Sequence, residues 1–171
     1  VLIIDLEKTA RMLEQALNVT AEIAYRNGII LFVHTSRQNG CYVEDAAKEC
    51  GQYAYCQRWS NDILTNSQFK FKAVTRLPDL LIVFSVVERA NELHNAVLMA
   101  ASMLIPTIGI CDTNSDPALV TYPVPGNDDS PQSIELYARL FKTAAQNGRL
   151  KRQEVLEKQG EDFYYKSLEV D

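Results

Sequence analysis

The sequence predicts an α/β fold, a parallel sheet covered by helices on both faces, of flavodoxin-like or Rossmann-like type. Three observations predict it. Residues 29–33, 80–84 and 106–111 are continuous apolar runs, as in strands buried on both faces, without the alternation of a half-solvated sheet. Amphipathic stretches of roughly ten to twenty residues alternate with them, as right-handed crossover helices do. Polar turns rich in Asp, Asn, Gly and Pro follow the later runs, at the carboxyl ends where such folds form binding sites.

The elements follow in order. Residues 5–27 predict a helix: Leu6, Ala10, Leu13, Leu17, Ala21 and Ala24 recur at three- and four-residue steps, with Asp5 as N-cap and Gly28 just past the end. Residues 29–33 are the first strand, and His34-Thr-Ser-Arg-Gln-Asn39 leads into a weaker helix over 43–50, ended by Gly51. Residues 53–56 are a short strand. A Leu77-Pro-Asp79 turn precedes the strand over 80–84, and 92–104 is a helix carrying Leu93, Ala96, Val97, Ala100, Ala101 and Leu104 on one face. Residues 106–111 tolerate Pro106 at their first position, where a lost donor does little harm, and 119–124 closes the strand series. Ser130 and Pro131 start a helix as cap and N1 residue, with Ile134, Tyr137, Ala138, Phe141 and Ala145 as its buried stripe down to Gly148. This divides the chain into an α/β domain, 1–148, and a helical extension, 149–171.

Composition narrows the function. A chain of 171 residues, 47% hydrophobic and 23% charged, has the makings of one globular domain. A net charge of −5 argues against a free-standing nucleic-acid binder but allows contact with RNA along one edge. None of the four cysteines forms a CxxC pair, which speaks against a zinc site and for a reducing compartment. No apolar run approaches a membrane span. The chain opens at Val1 without Met, as a piece of a longer protein would, so the lack of a presequence says nothing about a precursor.

Motifs for chemistry are sparse. The sequence has no GxGxxG after a strand, no GxxxxGK[ST] and no G-x-S-x-G. Neither His34 nor His94 pairs with a nucleophile and an orienting acid. His34 is expected to bond locally at a strand end, and His94 to be a surface or packing residue on a helix. Two readings are open for Asp112, Asp116, Asp128 and Asp129. They form a carboxylate set for a divalent metal, or they are turn residues, with Asp112 and Asn114 in Asx-type bonds, Pro117 and Pro125 fixing the turns, and Asp129 or Ser130 capping a helix. The second reading assigns no metal and no catalytic residue. Residues 67–75, basic and aromatic, are either a one-edge RNA contact or a connecting loop with Phe69 or Phe71 buried. Asp162-Phe-Tyr-Tyr165 is either a docking patch or a solvated tail.

Several strings are recognisable together. Ile3-Ile-Asp-Leu-Glu-Lys-Thr9, Gly28-Ile-Ile-Leu-Phe-Val33, Arg58-Trp59 with Ile63-Leu-Thr-Asn66, Leu77-Pro-Asp-Leu80, Ile105-Pro-Thr-Ile-Gly-Ile-Cys-Asp-Thr-Asn-Ser-Asp-Pro117 and Pro125-Gly-Asn-Asp-Asp-Ser130 occur in one order. Over about residues 1–147 the chain resembles the second protein of the small ribosomal subunit, bacterial and organellar type, and is most similar to mitochondrial members. Bacterial members carry a long helical hairpin between the Leu-Thr-Asn and Leu-Pro-Asp motifs, where this chain has only residues 67–76. Two departures stand out. The family's aromatic-rich opening does not precede Val1, and Asn61-Asp62 replaces a glycine pair.

The resemblance implies a structural role in the mitochondrial small ribosomal subunit, in the matrix. Its implied partners are ribosomal RNA and neighbouring ribosomal proteins, with no cofactor, no membrane and no small-molecule substrate. RNA contact is expected at Arg37, Lys70, Lys72, Arg76, Arg149, Lys151 and Arg152, more weakly at Arg58 with Trp59. Asp112, Asn114, Asp116, Pro117, Gly126, Asn127, Asp128 and Asp129 are the family-motif turns. The competing class is a metal-dependent phosphate-transfer enzyme of flavodoxin-like fold, using Asp112 and Asp128.

Overall fold

The computed structural model describes residues 3–36, 38–60, 62–67, 76–87 and 92–168, from residue 159 onward as backbone only. Its centre is a five-stranded, all-parallel sheet in the order β2-β1-β3-β4-β5, where β1 is Ile30–Val33, β2 Tyr53–Tyr55, β3 Leu80–Val83, β4 Thr107–Cys111 and β5 Tyr122–Pro125. Among the described residues four helices flank it: α1 Leu6–Tyr25, α2 Gly40–Glu49, α3 Asn95–Ser102 and α4 Pro131–Leu168.

Alternation within the apolar runs sorts side chains to the two faces. Ile30, Phe32, Leu80, Ile82, Phe84, Ile108 and Ile110 meet Ala16, Ala24, Val43, Ile134, Phe141 and Ala145 from α1, α2 and α4. On the opposite face Val33, Leu81, Val83 and Cys111 meet Ala96, Val97 and Ala100 of α3 together with Trp59, Ile63 and Leu64. Each run is apolar throughout because both of its faces are covered. β5 carries Pro123 and Pro125 at no cost to the ladder because it is an edge strand, paired only with β4.

The boundaries differ from expectation in instructive places. α1 is capped by Asp5, whose side chain accepts from the Glu7 N–H, but its end uses Asn27 where Gly28 was expected in the turn. Asn27 sits at φ 59, with its N–H on Ala24 and the Gly28 N–H on Ile23, a Schellman motif. Gly28 is required for another reason: a Cβ there would lie 2.6 Å from Ile23 Cγ2. α2 begins three residues before its expected start, and α3 begins at Asn95, three residues after its expected start at Glu92, with His94 as the N-cap accepting from the Ala96 N–H. β5 starts at Tyr122 because Pro117–Leu119 wind into a 3-10 turn capped by Asp116.

The largest difference is α4. The sequence places a boundary at Gly148 with a helical extension beyond it, and the two stretches form one continuous helix to Leu168. Gly148 is there for close packing: a Cβ would lie 2.2 Å from the Ala21 carbonyl oxygen on α1. Arg152 then reaches across this seam to α1, and Arg149 beside it reaches the end of α2. Arg149 donates to the Cys50 carbonyl (2.6 Å) and Arg152 to the Tyr25 carbonyl (3.0 Å), each placing a guanidinium on a helix carboxyl end that has unpaired carbonyls and a negative dipole.

Candidate functional site

Parallel strands leave all their carboxyl ends on one edge, and the strand order reverses between β1 and β3. A polar cleft of about 1170 Å³ opens there, lined by the residues after β1 (His34, Thr35, Ser36), after β2 (Gln57, Arg58), after β3 (Ser85) and after β5 (Asp128, Asp129).

His34 lines it, and His94 is buried behind Thr35. His94 Nδ1 accepts from the Ala96 N–H, so Nε2 carries the proton and donates to Thr35 Oγ1 at 2.6 Å. His34 is only 2% exposed, edge-on to Phe84, and neither ring nitrogen has a hydrogen-bond partner among the described residues. Burial, then the neighbouring His94, pulls its pKa down to about 4, so the ring is neutral at physiological pH. The local bond expected for His34 at the strand end is not formed among the described residues, whereas His94 is a packing residue, as one of the two expectations had it, buried against Trp59 and also capping the helix.

Its acidic wall is the second polar turn, through Asp128 and Asp129, with Asp112 of the first turn adjoining them. Asp112, Asp128 and Asp129 bring one carboxylate oxygen each within 4.8 Å of one another, while Asp116 stands apart capping the 3-10 turn. Asp128 is 8% exposed and accepts from Ser85 Oγ at 2.6 Å. Burial raises its pKa, the Ser85 bond opposes the rise, and the charges of Asp129 and Asp112 add to it. Three converging carboxylates are an oxygen-ligand set of the kind a hard cation takes, and such acidic groups are also common without an ion. The turns bond to their own backbone as well. Asp112 accepts from the Thr113 N–H, Asp116 from Ala118, and Asn127 from both Asp129 and Ser130. The Ser130 carbonyl accepts from Ile134 while its hydroxyl meets Gln132. Gly126 is closely packed, since a Cβ there would sit 2.2 Å from the Tyr137 hydroxyl. Asn114 and Pro117 are exposed.

The expected RNA contacts are not brought to one place. Arg58 is exposed at the cleft, with Trp59 buried beside it against Tyr55 and His94. Arg76, Arg149 and Arg152 belong to the opposite edge, where strands begin. There Arg76 pairs with Asp79 (2.8 Å), Arg149 and Arg152 hold the helix ends, and Lys151 is exposed on α4. Arg37, Lys70 and Lys72 lie outside the described residues, as do Asn61, Phe69 and Phe71, and the side chains of 162–165. Among the described residues, no helix is long and apolar enough to cross a membrane.

The family model of ribosomal protein S2 matches residues 1–72 and 69–148. The chain belongs to the ribosomal protein S2 family. It is 48% identical over 153 residues to the small ribosomal subunit protein uS2m of Bos taurus, covering 90% of this chain and 52% of that protein. It is 33% identical over 190 residues to the small ribosomal subunit protein uS2 of Rickettsia akari (85% of this chain, 63% of that protein). To its counterpart in Gluconobacter oxydans it is 34% identical over 188 residues (85% and 69%). The chain thus spans about half the length of the bovine relative. The S2 match divides at residues 69–72, and the bacterial alignments are far longer than the share of this chain they cover. Both point to a bacterial insertion here that this S2 chain lacks. The bovine alignment needs no such insertion.

Proposed function

We propose that this chain is a structural, non-enzymatic component of the mitochondrial small ribosomal subunit, binding ribosomal RNA and neighbouring ribosomal proteins in the matrix and supporting mitochondrial translation. The observation that carries the reading is the likeness to the bovine uS2m protein, at higher identity than to the bacterial proteins and without their insertion. Nothing in the comparisons supports the phosphate-transfer alternative.

RNA contact is assigned to Arg37, Arg58, Lys70, Lys72, Arg76, Arg149, Lys151 and Arg152, chiefly to phosphate, which positions a protein without reading sequence. Arg149 and Arg152 keep structural duties in this scheme, so only their outward nitrogens serve RNA. Fold alone would not have pointed to this function.

Sedimentation of a mitochondrial lysate tests the reading. The full-length protein is expected in the small-subunit fractions, and charge reversal at Lys70 and Lys72 is expected to reduce incorporation without altering circular dichroism. A free protein with magnesium-dependent turnover, abolished by Asp112→Ala, would overturn it.

A further inference from the structure

Donors without acceptors collect at one end of the carboxyl-edge cleft. His34 is buried in the cleft lining, and among the described residues neither ring nitrogen has a partner, a costly arrangement that a ligand would relieve. Thr35 receives the His94 proton, which leaves its own hydroxyl proton for a further acceptor. α2, ten residues long, begins behind Asn39, whose side chain makes no capping bond; its first-turn amides are open to an outside acceptor and carry the positive end of the dipole. Ser36 and Arg58 line the same cleft. Facing them, Asp128 is already engaged by Ser85, while Asp129 is exposed and accepts only.

We propose that this cleft seats one nucleotide of ribosomal RNA, its phosphate at the amino end of α2 among Thr35, Ser36 and Arg58, and its ribose hydroxyl toward Asp129. A nucleotide supplies both halves of the match, an anion for the donors and a hydroxyl donor for the carboxylate. The position is the one where doubly wound sheets take ligands, the point at which the strand order reverses. The lining is polar, so the cleft suits a phosphodiester better than an apolar protein anchor. The inference rests on the proposed ribosomal role and names the RNA-contacting element within it.

Ultraviolet cross-linking of small subunits carrying the full-length protein, read by peptide mass spectrometry, tests it. Nucleotide adducts are expected on residues 34–36 or 57–59. Thr35→Val combined with Arg58→Gln should lower those adducts about tenfold and, since about one phosphate contact is lost, flatten the salt dependence of retention on subunits by roughly 0.7 in log–log slope. A co-sedimenting protein with RNA adducts elsewhere only would overturn the proposal and leave the ribosomal role standing. Peptide–peptide cross-links alone at these residues would make the cleft a protein interface. Adenosine monophosphate bound by the free protein, with no RNA adduct in subunits, would assign the phosphate to a soluble nucleotide and overturn the RNA source. Absence of the protein from the subunit fractions overturns both readings at once.

Discussion

The seam between α1 and α4 and the cleft at the carboxyl edge of the sheet are built on opposite terms. Along the seam, Gly148 admits the Ala21 backbone, and Arg149 and Arg152 satisfy the carbonyls at two helix ends. At the cleft, a buried histidine has no partner among the described residues, two lining carboxylates converge with a third beside them, and a helix starts without a side-chain cap. Local rules are obeyed where the chain only has to hold together. They are broken together in one place, and such breaches mark sites where a protein meets something else.

The seam is therefore where substitution should do most damage. Gly148→Val forces a branched side chain onto the Ala21 carbonyl and should destabilise the protein by about 3 kcal/mol or more, at the upper end of overpacking costs. Urea denaturation measures this; an unchanged midpoint would mean that the two helices do not approach closely. In the cleft the sign should reverse. His34→Phe removes two unsatisfied polar atoms and should raise stability by about 1–2 kcal/mol at neutral pH, while weakening retention on subunits. The pH profile sharpens the contrast. The folded pKa of His34 lies below its unfolded value, so its contribution is present above about 6.5 and is lost as pH falls toward about 4. Asp128 runs the other way: its raised folded pKa makes its contribution complete below about 3.8 and lost as pH rises. His34→Phe should flatten the acid limb of melting temperature against pH, and Asp128→Asn should raise the melting temperature at neutral pH but not below about 3.8.

The seam and the cleft were unequally legible in the sequence. Strand positions could be read because double burial leaves unbroken apolar runs, and the parallel sheet followed from helices between them. The aspartate turns were visible as composition, and their convergence required only that parallel strands end on one edge. The packing role of Gly148 was not legible, because a glycine that admits a neighbouring backbone looks the same in one dimension as one that marks a boundary. Arg149 and Arg152 read as a basic cluster because their acceptors, Cys50 and Tyr25, are distant in sequence. His34 carried no signal: a polar residue after a strand normally bonds nearby, and only packing against Phe84 shows that it does not.

A smaller effect separates structure from RNA contact within the seam. Arg149→Ala and Arg152→Ala should each cost about 1 kcal/mol, the scale of a partly exposed charged hydrogen bond. Lys151→Ala, exposed beside them, should cost nothing measurable by thermal melting. On subunits, however, Lys151→Ala should weaken retention at raised salt. If all three variants lost retention only in proportion to their loss of stability, this stretch of α4 would serve the seam alone.

The least effect is expected where the two faces of the sheet solve the same problem differently. α1 and α3 both end with a residue in the left-handed region, Asn27 at φ 59 and Leu104 at φ 57. Both carry the paired return bonds of a Schellman ending, for α3 from Ile105 to Ala100 and from Leu104 to Ala101. Asn tolerates that backbone through its short polar side chain; Leu does not, and Leu104 is 91% exposed, so little packing offsets the strain. Leu104→Gly should relieve it and gain about 0.5–1 kcal/mol after the extra flexibility of glycine in the unfolded chain is counted. Asn27→Gly should change stability by only a few tenths in either direction. Equal gains at both positions, measured by urea denaturation, would show that Leu104 is no more strained than Asn27. A gain at Leu104 accompanied by weaker retention on subunits would show that this exposed leucine, though strained in the free chain, is held in place for a neighbour.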